Sequence, residues 1–341
     1  MKLILNNLYI FSKNKYLHKD HETIEIVEKS EDGTSSVVAY FPVHTISGIY
    51  IFNSSIVSTW LISFCSEHGI NLSYFTEQGR FLGRLVGPIH GNVLLRKKQF
   101  TLSSDEKFVL AKNQVVSKLK SSLNLLNRFS RNHGIDLAEN IQTIKRNIKF
   151  VISDMSKSTN VLMGFEGAGA KAYFDCFSKM LLNNDFSYTE RTRRPPKNYI
   201  DAMLSYLYAV AEADITSAIS AIGLDPQEGF LHADRSGRAS LSLDILEEFR
   251  AYLVDRTVLS MVNRKEINIK DFNKDCLDGI SMNENVRKYI VSVYQKRKSD
   301  VVFHEYLKQK VPVGLLFNIQ ATLYAQYLRG DLEIYPPFYF R

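Results

Sequence analysis

Cysteine is scarce in this chain: three in 341 residues, Cys65, Cys176 and Cys276. They are far apart, odd in number and form no Cys-x-x-Cys or zinc spacing. That excludes a disulfide framework and a zinc knuckle, and it points to reduced thiols in a cytoplasmic protein. Long apolar runs are missing as well. Nothing approaches the roughly 18 residues of a transmembrane helix. The opening MKLILNNLYIFSKNKYLHKDH has no apolar stretch long enough for a signal peptide. A soluble chain with no membrane partner is expected. Acidic residues are outnumbered, 36 against 43 Lys and Arg, for a net charge of +7. A basic surplus favours a polyanionic partner, most simply nucleic acid. Internal repeats and low-complexity segments are absent.

What is present divides in two. Residues 1–85 read as strands: LYIF, ETIEIVEK, SVVAYFPV, GIYIF, NLSYFTE and GRFLGRLVG are short and rich in Ile, Val, Tyr and Phe, with Gly, Asn, Asp and Ser between them. EDGTSS reads as a hairpin turn, and one helix interrupts, about Ser55 to His68. The segment VGPIHGN opens a linker, drawn over 86–97. Beyond it apolar residues recur three and four apart over 102–132, 138–156, 168–182, 198–222, 240–264, 283–311 and 313–329. The expected fold class is therefore α+β: a small, sandwich-like N-terminal β domain (1–85) and a larger all-helical domain (98–341). A small sheet has edges and apolar faces to cover, so the β domain is expected to form a homodimer.

The second half centres on GFLHADRSGRASLSLDILEEFRAYLVDRTVLSMVNR, residues 229–264. A turn carrying His232, Arg235, Gly237 and Arg238 leads into a helix capped by Ser240 or Ser242. At 3.6 residues per turn Asp244, Glu247, Glu248 and Asp255 share one stripe, with Leu246, Phe249 and Leu253 opposite as the core side. Asp244 and Glu247, three apart, are neighbours and repel unless something positive lies between them. An ordinary solvated acidic face explains such a stripe, with Glu248 meeting solvent. So does a divalent ion, since hard cations take carboxylate oxygens and manganese accepts imidazole as well.

Two further stretches bear chemistry. In LMGFEGAGAKAYFDCF, Glu166 precedes small residues that permit close backbone approach and reads as the start of a helix. In RTRRPPK, Pro195 and Pro196 hold Arg191, Arg193 and Arg194 extended, where backbone phosphates are the natural partners. Basic residues also cluster at Lys145–Lys149, and the clusters Arg96–Lys98 and Lys296–Lys298 read as solvated surface.

These residues carry a resemblance. GFEGAGAKAYF, RTRRPPKNYIDAMLSYLY, GFLHADRSGRASLSLDILEEFR and the tail GLLFNIQATLYAQYLRGDLEIYPPF, in that order, make the chain similar to the universal CRISPR-associated integrase, the spacer-acquisition nuclease. LSLDILEEFR and the YPPF ending look most like the subtype I-C branch. The resemblance implies a DNA endonuclease and integrase that inserts short foreign DNA into a CRISPR array by attack of a 3′-hydroxyl on a phosphodiester. It implies an ion, Mn2+ or Mg2+, held by Glu166, His232 and Glu247 with Asp244 as a nearby acid; many members carry Asp where Glu247 stands, and whether Asp244 or Glu247 is the direct ligand stays open. It also implies DNA contacts from Arg191, Arg193, Arg194, Arg235 and Arg238, a homodimer, and a small CRISPR-associated partner bridging two dimers. The competing reading is a non-catalytic basic DNA-binding scaffold in which Arg235, Arg238 and Arg250 neutralise Asp244, Glu247 and Glu248. RNA binding is weaker, because no RNP-type aromatic motif or KH-type loop occurs in context.

Overall fold

The computed structural model describes residues 6–29, 35–52, 54–77, 81–85, 87, 93–192, 195–274 and 279–340. Arg193, Arg194, Cys276, most of VGPIHGN and the EDGT of the expected turn lie outside the described residues. The chain divides into two compact units, Met1–His90 and Gly91–Arg341.

The first unit contains β1 (Asn6–Ile10), β2 (Lys15–Asp20), β3 (Thr23–Lys29), β4 (Ser35–Pro42), β5 (Ile46–Ile51), β6 (Ile56–Val57), α1 (Thr59–Glu67), β7 (Asn71–Phe75) and β8 (Phe81–Arg84). One four-stranded sheet runs β1-β5-β7-β8 and the other β4-β3-β2-β6. They share a core: Leu8, Ile49 and Leu72 of the first sheet cluster with Leu17 and Ile24 of the second and with Leu61 of α1. The helix expected from Ser55 starts later. Ile56 and Val57 pair with β2 as a short strand, and Ser58 caps α1 by accepting from the Leu61 N–H at 3.2 Å. Strand β2 escaped the sequence reading because lysines, a histidine and an aspartate fill KYLHKD.

The second unit begins with α2 (Val93–Phe100), so the expected linker ends in a helix. There follow α3 (Ser104–His133), α4 (Ala138–Ser153), α5 (Thr159–Phe174), α6 (Phe177–Met180), α7 (Tyr199–Ile222), α8 (Ser240–Leu246), a π-helical stretch (Arg250–Asp255) and α9 (Arg256–Asn263). The remainder is β9 (Phe272–Lys274), β10 (Ile280–Met282), α10 (Glu284–Lys298), β11 (Val301–His304), β12 (Gln309–Pro312) and α11 (Val313–Arg329). The unit is thus not all-helical: β9–β10 and β11–β12 are two-stranded antiparallel pairs, and the second replaces the end of the helix expected over 283–311.

Helix α3 is the spine. At 1.5 Å per residue its 30 residues run about 45 Å. A capping box starts it: Ser103 Oγ accepts from the Glu106 N–H at 3.2 Å, and Glu106 Oε2 accepts from the Ser103 N–H at 2.8 Å. Gly134, at φ 65°, stops it in the left-handed conformation. Helices α4 and α5 and the π-helical stretch pack against it.

Candidate active site

Glu166 lies inside α5, not at a helix start as its glycine-rich surroundings suggested. The glycines are tolerated because one of them is needed for packing. A Cβ on Gly169 would stand 2.5 Å from Leu119 Cδ2 of α3. That close approach brings the Glu166 carboxylate onto Lys118, whose ammonium it contacts.

Helix α8 stops at Leu246, and the backbone then widens into the π-helical turn, an irregularity that recurs at functional sites. The acidic stripe is consequently not a solvated face. Asp244, Glu247, Glu248 and Asp255 are each at most 2% exposed. Neither expected serine caps the helix; Ser242 Oγ accepts from Thr216 Oγ1 at 2.7 Å instead.

Each acid has its own partners. Asp244 accepts from the N–H groups of Phe230 (2.7 Å), Leu231 (3.0 Å) and His232 (3.0 Å). Its Oδ1 also lies 2.6 Å from His232 Nδ1. A carboxylate only accepts, so Nδ1 carries a proton, and Nε2 is the ring nitrogen left for another partner. Gly229 is required here, since a Cβ would stand 2.7 Å from Asp244 Oδ2.

Glu247 meets three positive or polar groups: Lys118 Nζ at 2.8 Å from Oε2, Arg250 Nη2 at 3.1 Å from Oε1, and His232 Nε2 at 3.9 Å from Oε1. Burial pushes its carboxyl up, but Arg250, Lys118 and His232 outweigh it and bring it down to about 2. Oε2 is buried and has no hydrogen bond, only the ion-pair contact with Lys118. Glu248 was expected to face solvent and does not. Tyr335 Oη donates to it at 2.6 Å, and Gln320 Nε2 and the Phe338 N–H donate at 2.8 Å each. Burial pushes it up to about 8 in spite of these donors.

Lys118, Glu166, Glu247 and Arg250 line a cavity of about 630 Å³. Its further wall holds Asp255, which accepts from Tyr173 Oη at 2.8 Å and from Tyr208 Oη. Arg250 stacks over the Tyr208 ring, 4.8 Å from its centroid. Burial raises Asp255 to about 6.

The arginines separate into two kinds. Arg191, expected to be free for phosphate, is tied down: its Nη1 donates to Asp201 Oδ1 at 2.6 Å and its Nη2 to Ser205 at 3.2 Å. Arg235 is exposed and Arg238 half-buried in the turn before α8, and neither has an ion-pair partner among the described residues. The scaffold reading needed both of them on the acids, and only Arg250 is there. Sequence reasoning missed Lys118, Tyr173 and Tyr208. Tyr208 closes the block RTRRPPKNYIDAMLSYLY, whereas nothing near Lys118 marks it.

Two carboxylates, one of them with a buried oxygen that has no hydrogen bond, and an imidazole nitrogen are a donor set suited to a hard divalent ion. Among the described residues no group of three His, Cys, Asp or Glu side chains is already arranged to hold one. The Lys118 ammonium stands between the two carboxylates.

The family model described as CRISPR associated protein Cas1 matches residues 8–296. A CRISPR-associated endonuclease Cas1 of Chlorobaculum tepidum is 37% identical over the whole of both chains. One from Moorella thermoacetica is 38% identical, again end to end. Among solved structures, a CAS1 protein from Thermotoga maritima aligns with a TM-score of 0.81 at 23% identity, covering 97% of this chain and 99% of that one. A casposase bound to its integration product aligns at 0.83 and 21%, covering 99% and 95%. These two are likenesses of fold.

Proposed function

We propose that this chain, which belongs to the CRISPR-associated Cas1 family, is a metal-dependent DNA endonuclease and integrase that inserts spacers into a CRISPR array. The carrying observation is the pair Glu166 and Glu247 on one ammonium, beside an imidazole that Asp244 orients. Glu166, Glu247 and His232 Nε2 are the proposed ligands of Mn2+ or Mg2+. Asp244 has its oxygens filled by backbone N–H groups and the imidazole, which favours Glu247 over it as the direct ligand. An ion held there would polarise the scissile phosphate and stabilise the leaving oxygen.

The chain's own residues do the rest. Glu247 stays ionised down to about pH 2 and supplies fixed negative charge. Asp244 fixes the imidazole tautomer. Lys118 holds the carboxylates together when no divalent cation does so. Arg235 and Arg238 neutralise backbone phosphates without reading bases, and Arg193 and Arg194 extend that role. The attacking group is water in cleavage or a DNA 3′-hydroxyl in strand transfer.

Several finer assignments follow the same reading. LSLDILEEFR and YPPF support the subtype I-C branch. Val37, Val38 and Tyr40 are exposed on β4, an edge strand, which supports a homodimer through the β unit. A small CRISPR-associated protein bridges two such dimers, and the site of action is the cytoplasm. No described helix is long and apolar enough to cross a membrane.

The test is incubation with branched and single-stranded DNA in Mn2+, in Mg2+ and in chelator. Joined and cut products that need the ion support the enzyme. Tight binding with no product under any condition restores the scaffold.

A further inference from the structure

A second pocket of about 310 Å³ lies in the same unit, and its walls have no part in the site above. Helix α3 divides the two. Lys118 and Ser122 line the first cavity, while Ser121, Asn124 and Arg128 line the second. The π-helical turn divides them as well: Arg250, Ala251 and Asp255 border the first and Tyr252 the second, with Arg256 of α9 beside it.

The second pocket is built from groups that recognise nucleotides. Arg128, Arg131 and Arg256 line it, and no acidic residue does. None of the three has a carboxylate within ion-pair distance among the described residues. Arg297 adds to the crowding: it and Arg256 both sit over the Tyr252 ring, at 5.8 and 4.9 Å. Burial and the Arg256 charge press the Arg297 guanidinium below its ordinary value, and its buried Nη1 has no hydrogen bond. Ser121, only 3% exposed, has a buried hydroxyl without a partner. Asn127 and Asn132 supply amide donors and acceptors. Tyr252 stacks on Phe340 at 3.8 Å and 3°, which leaves its other face to the Arg256 and Arg297 guanidiniums. Asn124 Nδ2 donates to the Phe340 carbonyl at 2.7 Å and fixes it there.

We propose that this pocket is a second nucleic-acid site, which holds one nucleotide of a single DNA strand by its phosphate. Arginines that fork onto phosphate, with amides beside them, are parts such sites use. That the phosphate belongs to a DNA strand rests on the function proposed above; the anion chemistry does not. Because α3 and the π-helical turn wall both pockets, a strand seated in the second lies beside the first.

The experiment measures anisotropy of a labelled single-stranded oligonucleotide in EDTA, at several salt concentrations. The proteins are the full-length wild type, Arg128→Ala/Arg131→Ala/Arg256→Ala, and the charge reversal Arg128→Glu/Arg131→Glu. The reversed residues are exposed, so that variant keeps its fold. The triple variant is expected to lose about tenfold in affinity. Loss of the one phosphate neutralised there lowers the log–log salt slope by about 0.7. Unlabelled deoxyadenosine monophosphate is expected to compete on the wild type and not on the variants. Unchanged affinity and slope in both variants overturn the site. Saturable mononucleotide binding that never displaces the strand overturns the assignment to DNA and leaves a free nucleotide as the ligand. Since no ion is present, an arginine effect in a chain that cuts no DNA separates this proposal from the catalytic one.

Discussion

Lys118→Met isolates what the ammonium does between two carboxylates. The lysine side chain is 16% exposed, Glu166 13% and Glu247 2%. Methionine keeps much of the aliphatic stem and removes the charge. Breaking a buried ion pair by deleting one partner costs about 3–5 kcal/mol, because a charge is left buried without compensation. Arg250 remains on Glu247 Oε1 at 3.1 Å, so the lower end, about 3 kcal/mol, applies. For a unit of this size about 1 kcal/mol moves Tm by roughly 2–4 °C, giving a loss of about 6–12 °C in EDTA. Manganese at a hundredfold its Kd returns about 2.7 kcal/mol. In the wild type the ion must first displace the ammonium, so its gain is smaller. Thermal melting followed by circular dichroism, with EDTA and with manganese, reads both effects. A variant that melts with the wild type in EDTA refutes the reasoning, and so does an equal gain from manganese in the two proteins.

Glu248→Gln tests the second buried acid. A carboxyl moved from 4.5 to about 8 on folding stabilises the protein most below about pH 4.5, and that contribution is lost as pH rises through about 8. The wild type is therefore expected to lose stability between pH 5 and 9, on the order of 3–5 kcal/mol from this group, and the variant to escape that loss, as urea midpoints at the two pH values will record. Parallel pH profiles would contradict it. Gly229→Ala is expected to push the Asp244 carboxylate off its three N–H donors and to weaken manganese affinity, measured by calorimetry, by about 10–100-fold; undiminished affinity argues that Asp244 does not orient His232. Arg235→Ala/Arg238→Ala is expected to lower duplex affinity about equally for unrelated sequences and to reduce the salt slope by about 2; a changed sequence preference with the same slope counts against phosphate contact.

The elements that were legible in the sequence carry local signals. Helix α11 spans the 313–329 that its apolar spacing predicts, and Gly330 ends it at φ 83°. Gly223 stops α7 in the same way at φ 90°. The pair β11–β12 was missed because its turn holds no glycine or asparagine; Lys308 takes the positive φ, 53°. KYLHKD hid β2 behind charge. In the site, Glu166, His232, Asp244 and Glu247 stood out by residue type and by family resemblance. Their surroundings did not. Lys118 reaches Glu166 across 48 residues of chain, and Glu248 meets Tyr335 across 87. Helical periodicity put the acids on one stripe and left a solvated face or a metal site open; in the fold all four are buried, Glu248 under α11 and the C-terminal segment, Asp244 under the turn at 230–232 and Asp255 under Tyr173 and Tyr208.

The most direct measurement of the central claim is a crystal of this protein soaked in manganese and examined by anomalous scattering. One ion is expected, bound directly by Glu166, Glu247 and His232 Nε2, with the Lys118 ammonium withdrawn from between the carboxylates and Asp244 still on His232 Nδ1. An ion bound elsewhere, or Lys118 seated on both glutamates at saturating manganese, would contradict it.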